Sequence, residues 1–76
     1  MKHTSLSVLE NLVYDFKDAM FEKLKRTHAE GRRGWDSDDW TEEDIEENIK
    51  SQLLCDPVDP IDIANYAMFL WNRRVK

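Results

Sequence analysis

A dense apolar run near the carboxyl end restricts this chain to a helical fold more than any other feature does. Residues 56–71 read DPVDPIDIANYAMFLW. Asp59 can cap a helix that begins at Pro60. Proline suits this first position, because the amide there has no partner within the helix and the fixed φ of proline is already helical. The nine residues after Asp62 contain one polar side chain apart from the tyrosine hydroxyl, that of Asn65. A helix this apolar has to be covered on more than one side, so it predicts the centre of a small helical protein.

A long first helix is predicted near the amino end. Ser7 and Glu10 have the spacing of a capping box, and Gly31 supplies a stop, so this helix should run from about Val8 to Glu30. Its length of roughly 34 Å is too great for a 76-residue chain to cover fully, so either its tail projects or a second chain packs along it in a homo-oligomer. Apolar residues recur at spacings of three and four, which marks one helical face: Leu9, Leu12, Val13, Phe16, Met20 and Leu24.

The second helix is predicted to be short. Thr41 and Asp44 take the N-cap and N3 positions of a capping box, which predicts a helix from Glu42 to about Leu54. Its narrow apolar stripe recurs every four residues: Ile45, Ile49 and Leu53. With a third helix over 60–74 and no strand pattern, the predicted fold is an all-α three-helix domain in an oligomeric helical bundle.

The length and charge of the chain exclude several classes of protein. Seventy-six residues form one domain, in which residues 1–6 are expected to be a flexible amino terminus. No run approaches the roughly 20 apolar residues of a membrane span, and no signal-peptide pattern is present. The net charge of −5 argues against general binding to nucleic-acid phosphates. Cys55 is predicted to be a small buried hydrophobe, and a single thiol suits a reducing cytoplasm.

The loop before the second helix contains a tryptophan that no helical face explains. This loop, residues 31–39, reads GRRGWDSDD. Trp35 could close the open end of the core. Alternatively, it could form a stacking wall for a planar ligand, with Arg32 and Arg33 binding the anionic part of that ligand.

Acidic side chains at the starts of the second and third helices are candidate magnesium ligands. Glu46 lies at the edge of the apolar stripe, where it can face a groove between helices. On the third helix, Asp62, Asn65 and Phe69 share one side. Helical bundles build sites for hard cations from carboxylates on neighbouring helices. Acids in a first helical turn are also ordinary partners of the helix dipole, so a solvated acidic face is the alternative.

Three segments together resemble one protein family. They are KLKRTHAEGRRGW, the acidic second helix and DPIDIANYAMFLW. Over residues 16–71 the chain looks like the MazG-like all-α nucleotide pyrophosphohydrolases, especially the small versions encoded by bacteriophages. In that family, ExxE and ExxD pairs on neighbouring helices hold Mg²⁺ against a triphosphate. The resemblance implies Glu43 and Glu46 as the first metal-binding pair, and Asp59 and Asp62 as the second.

Departures from the family pattern shape the functional hypothesis. Asp59 replaces a longer glutamate, and the second helix is short, with Glu43 directed away from the apolar stripe. We therefore expect a protein that binds a nucleotide or nucleotide-derived small molecule without efficient turnover and sequesters it. The resemblance places it in the cytoplasm of an infected bacterium. We expect Trp35 and Trp40 to form aromatic walls for the ligand. Arg32 and Arg33 would contact its phosphate, and Asp62 and Asn65 would hydrogen-bond its base or sugar.

Two other functions stay open. The first is a Mg²⁺-dependent nucleoside triphosphate pyrophosphohydrolase, in which the four acids hold a metal that activates water. The second is an acidic inhibitor that binds a host protein through the surface of residues 36–47.

Overall fold

The computed structural model describes residues 5–31 and 39–75, and these residues form three α-helices without a strand. The helices are α1 (Leu6–Ala29), α2 (Glu42–Leu53) and α3 (Pro60–Val75). The predicted all-α fold, with a long first helix and a short second one, is confirmed. None of these three helices combines the length and the apolar character that are needed to cross a membrane.

α1 begins two residues earlier than the sequence pattern predicted. Its N-cap is Ser5, whose hydroxyl oxygen accepts a hydrogen bond from the Val8 amide at 3.3 Å. The predicted cap, Ser7, is wrong, because this serine lies inside the first turn and its hydroxyl bonds to that of Ser5 instead. The predicted stop at Gly31 is confirmed, since this glycine has a φ of +85°, in the left-handed region that favours glycine.

α2 begins with the predicted capping box. The Thr41 hydroxyl accepts a hydrogen bond from the Asp44 amide at 3.2 Å, and an Asp44 carboxylate oxygen accepts one from the Thr41 amide at 3.0 Å. Ile45 follows and is fully buried against α3. The apolar stripe loses its cover toward the end of the helix, where Leu53 is exposed.

Cys55 is exposed, so the prediction of a buried thiol was wrong. The residue lies just past the end of α2, where its amide donates to the Gln52 carbonyl in a turn. Leu53 and Leu54 before it are exposed as well. Because no described segment packs over this end of α2, an apolar side chain there remains in contact with solvent.

α3 is the central helix and packs against both of the others. Asp59 caps it as predicted, since its Oδ1 accepts a hydrogen bond from the Ile61 amide at 2.9 Å. The described parts of α1 and α2 do not approach each other closely through their backbones. α3 therefore determines how α1 and α2 are placed.

The core is thin, and the molecule is elongated. Among the described residues only Ile45 and Asn65 are buried, at 0% and 6% exposure. The molecule measures 46 × 30 × 26 Å, and its radius of gyration of 14.5 Å exceeds the roughly 11 Å of a compact chain of this length. Residues 5–19 of α1 and its cap are all exposed, which accounts for part of the elongation.

Candidate ligand-binding groove

An open groove of about 1220 Å³ lies between the second half of α1, the segment just before α2, and α3. We call it the ligand groove. Three of the side chains that the sequence predicted for a ligand site line it together: Trp40, Asp62 and Asn65. Lys23 from α1 and Tyr66 and Phe69 from α3 line it as well. The structure therefore brings together residues from three parts of the chain.

Three aromatic rings form one wall of the ligand groove. The ring centroid of Trp40 lies 6.1 Å from that of Tyr66 and 5.9 Å from that of Phe69. The centroids of Tyr66 and Phe69 are 6.5 Å apart, and all three pairs meet edge to face. This arrangement is favourable because the positive edge of one ring meets the negative face of another. The sequence predicted Trp40 as a wall but missed Tyr66, whose spacing of three residues from Phe69 was the available signal.

Asn65 is the buried polar residue of the ligand groove. Its Nδ2 donates to the Met20 carbonyl of α1 at 3.4 Å. Its Oδ1 has no hydrogen-bond partner among the residues that the structure describes. A buried carbonyl oxygen without a donor costs about 1–3 kcal/mol, so the site is primed for a group that carries an N–H or O–H.

Lys23 holds two carboxylates at the α1 side of the groove. Its Nζ lies 2.8 Å from Oδ2 of Asp59 and 2.7 Å from Oδ1 of Asp62. These hydrogen bonds, that to Asp59 first, raise the pKa of the Lys23 ammonium. The hydrogen bond from Lys23, followed by that from the Ile61 amide, lowers the pKa of Asp59. No local pattern in the sequence assigns Lys23 a role, because these contacts depend on how α1 meets α3.

The four acids predicted as magnesium ligands make different contacts on α2 and at the start of α3. Asp59 and Asp62 share Lys23, whereas Glu46 accepts a hydrogen bond from Nη2 of Arg74 at 2.7 Å. Glu43 is exposed on α2. Within residues 5–31 and 39–75, no three side chains of histidine, cysteine, aspartate or glutamate are grouped so that they could hold a metal ion. The four carboxylates thus do not form one ligand set in this arrangement, and the magnesium site stays a prediction.

Several predicted site residues cannot be placed. Arg32, Arg33 and Trp35 lie outside the described residues, as does part of the acidic surface assigned to a host protein. On the described part of that surface, Arg74 also bonds Glu42, with Nε 3.3 Å from Oε1.

Comparison with known proteins adds no assignment. No family model, no curated protein and no solved structure matches this chain. The similarity to MazG-like proteins therefore stays a hypothesis drawn from the sequence.

Proposed function

We propose that this protein binds a nucleotide or nucleotide-derived small molecule in the ligand groove and sequesters it without efficient turnover. The observation that carries the proposal is the Oδ1 of Asn65, which is buried beside an aromatic wall and has no donor among the described residues. Such a pairing of an unfilled polar group with ring surfaces suits a flat heterocycle that bears an amino or imino group.

The base of the ligand would lie against the aromatic wall. Base–aromatic stacking contributes about 1–3 kcal/mol per base and tolerates any base, because every base has a π face. Trp40, Tyr66 and Phe69 brace one another, so the wall loses little side-chain entropy when a ligand binds. An amide such as that of Asn65 can then accept from a ring N–H or an exocyclic amino group.

The anionic part of the ligand would lie toward the end of α1. Lys25 and His28 line that side of the groove and are exposed. Lys25 Nζ pairs with Glu22 at 2.8 Å on the surface, a pair that a phosphate could replace at small cost because exposed ion pairs are weak. The predicted phosphate contacts Arg32 and Arg33 belong to the same proposal.

The contacts of the carboxylates support binding rather than hydrolysis. Lys23 already holds Asp59 and Asp62, with its Nζ 2.8 and 2.7 Å from their oxygens. A metal ion at these two carboxylates would have to displace the Lys23 ammonium, because two positive charges repel each other.

Titration calorimetry tests the proposal. Nucleoside mono-, di- and triphosphates and cyclic nucleotides would be titrated into the protein, and we expect at least one class to bind. Asn65→Ala should weaken that binding about tenfold through the lost hydrogen bond. The matched control, Asn11→Ala, changes an exposed asparagine of α1 outside the groove and should leave Kd unchanged.

A second variant and a turnover assay complete the test. Trp40→Leu removes one ring of the aromatic wall and should also weaken binding. Because Trp40 lies before α2 and Asn65 lies in α3, this variant covers the case in which Asn65→Ala does not fold. Absence of binding across the whole panel would refute the proposal. Release of pyrophosphate from a triphosphate in the presence of Mg²⁺ would replace it with the pyrophosphohydrolase hypothesis.

A further inference from the structure

Lys23, Asp62 and Asn65 form a row of polar groups where α1 meets α3. We call these three residues the polar row, and all of them line the ligand groove. Lys23 Nζ lies 2.7 Å from Oδ1 of Asp62, and Asn65 is three residues further along α3, on the same side of that helix. The Asn65 amide bonds the carbonyl of Met20, which lies three residues before Lys23 on α1. The polar row therefore follows both helices.

Each α3 member of the polar row has an aromatic ring one helical turn further along. Tyr66 follows Asp62 by four residues and Phe69 follows Asn65 by four, so each pair shares one side of α3. Tyr66 and Phe69 both belong to the aromatic wall. The wall thus runs beside the polar row on the same helix. A flat ring that stacks on the wall can present one edge to the row.

The polar row offers one hydrogen-bond donor followed by two acceptors. Asp59 and Asp62 occupy two of the three N–H groups of the Lys23 ammonium, so one is left for a ligand among the described residues. The second carboxylate oxygen of Asp62 accepts no hydrogen bond from another side chain in the described part. The Asn65 amide has a fixed orientation, because a reversed amide would set its oxygen against the Met20 carbonyl. Its Oδ1 is therefore an acceptor.

Guanine is the base whose edge matches this order. Its Watson–Crick edge carries the acceptor O6 and then two adjacent donors, the N1 hydrogen and the 2-amino group. Adenine, cytosine, uracil and thymine have no two adjacent donors on that edge, so each of them sets an acceptor against an acceptor of the polar row. A buried polar group that is left unpaired costs about 1–3 kcal/mol, and a site built for an N–H group rejects a ligand that lacks it.

We infer that the ligand of the groove is a guanine nucleotide, an inference that rests on the proposed function. The Lys23 ammonium donates to O6, and the N1 hydrogen is donated to the Asp62 carboxylate. The 2-amino group donates to Oδ1 of Asn65, while the face of the base lies on the aromatic wall. Asn65 is the residue that determines specificity, because it is only 6% exposed and its Oδ1 has no other donor in the described part.

Inosine isolates the contact with Asn65, because its base is guanine without the 2-amino group. The 5′-mono- and triphosphates of guanosine, inosine and adenosine would be titrated into the wild-type protein by calorimetry, with EDTA present to prevent metal-dependent turnover. In the phosphate class that binds, the guanosine compound should bind about tenfold tighter than the inosine compound. The adenosine compound should bind less tightly than either, because its amino group meets the Lys23 ammonium and its N1 is an acceptor facing Asp62.

Two variants separate recognition of the edge of the base from recognition of its face. Asn65→Ala should reduce the ratio of the inosine Kd to the guanosine Kd from about ten to about one. Trp40→Leu is the matched control. It should raise both Kd values and leave their ratio at about ten, because stacking on an aromatic ring does not distinguish the two bases. If circular dichroism shows that Asn65→Ala is unfolded, the ligand series on the wild-type protein decides.

Failure of the guanine assignment is distinguishable from failure of nucleotide binding. An inosine compound that binds wild type as tightly as its guanosine counterpart would overturn the guanine assignment and leave the proposed function in place. A guanosine preference that persists in folded Asn65→Ala would overturn it in the same way. Absence of binding by every nucleotide would refute both the assignment and the proposed function.

Discussion

At the residue scale, Lys23 and Asn65 are the side chains that hold α1 against α3. Lys23 bonds two carboxylates at the start of α3, and Asn65 reaches the Met20 carbonyl one helical turn away from Lys23. Both contacts are polar in a molecule whose apolar core is small. The orientation of α1 therefore depends on a few hydrogen bonds more than on buried surface.

Replacing Lys23 with methionine should destabilise the protein. Lys23→Met keeps the apolar stem but leaves the two carboxylates of Asp59 and Asp62 without their shared cation. We expect the melting temperature to fall by on the order of 4 °C. Lys50→Met, which removes an exposed lysine 3.8 Å from Glu47, serves as the control and should lower it by much less. Equal falls in melting temperature for the two variants would show that the Lys23 contacts stabilise the protein no more than an exposed ion pair does.

The effect of Lys23→Met should depend on pH at both ends of the range. The pKa of Asp59 is lowered, so its contribution is present above the unfolded value of about 3.9 and is lost as pH falls through the lower folded value. The pKa of Lys23 is raised, so its contribution is present below the unfolded value of about 10.4 and is lost as pH rises through the higher folded value. Urea unfolding should therefore show a constant difference between wild type and variant from about pH 5 to 9, which shrinks outside that window. A difference that changes steadily across neutral pH would contradict this origin.

The residues that the sequence analysis missed share one physical property. Lys23 and Tyr66 owe their roles to contacts between helices, which no local pattern encodes. Cys55 was misjudged for the same reason, since burial after a helix end depends on what packs there. Asn65 was predictable because a lone polar residue in an apolar helix must either form a hydrogen bond within the protein or bind a ligand.

At the scale of the elements, local chemistry determines where the helices begin. The capping box of α2 and the aspartate cap of α3 both form as predicted, because each involves residues within one turn. The start of α1 was misplaced because Ser5 and Ser7 are both suitable caps, and the sequence favoured the one with a glutamate three residues later. Helix existence was therefore readable from the sequence, whereas the choice between two equivalent caps was not.

Removing the cap of α2 should destabilise the whole domain. Thr41→Ala deletes the acceptor for the Asp44 amide and should cost about 1 kcal/mol of unfolding free energy. The loss should be global, because α2 carries the only fully buried apolar side chain among the described residues. Ser51→Ala, an exposed change inside the same helix, is the control and should be neutral or slightly stabilising. Chemical denaturation measures both, and a cost for Thr41→Ala below that of the control would contradict the role of the cap.

At the scale of the whole molecule, stability rests on very little buried apolar surface. Ile45 is the single apolar residue with no exposure in the described part, and it lies where α2 meets α3. A domain of 76 residues has a total stability of roughly 4–11 kcal/mol. One core residue can therefore account for a large share of it.

Truncating Ile45 tests how concentrated the core is. Ile45→Ala should cost about 2–5 kcal/mol, enough to leave a substantial unfolded fraction at 37 °C. Leu54→Ala removes a similar number of carbon atoms from a side chain that is 87% exposed, and it should change stability by less than about 0.5 kcal/mol. Circular dichroism during urea titration gives both values. A cost for Ile45→Ala below about 1 kcal/mol would mean that the core is spread over other side chains.

The exposed thiol of Cys55 has a practical consequence. As the chain's only cysteine, it accepts one nitroxide label per molecule at a turn remote from α1 in sequence. If two molecules associate, their two labels form a single pair, and pulsed electron spectroscopy then reports one separation between them. An exposed side chain outside the helices thus gives a distance measurement on any assembly.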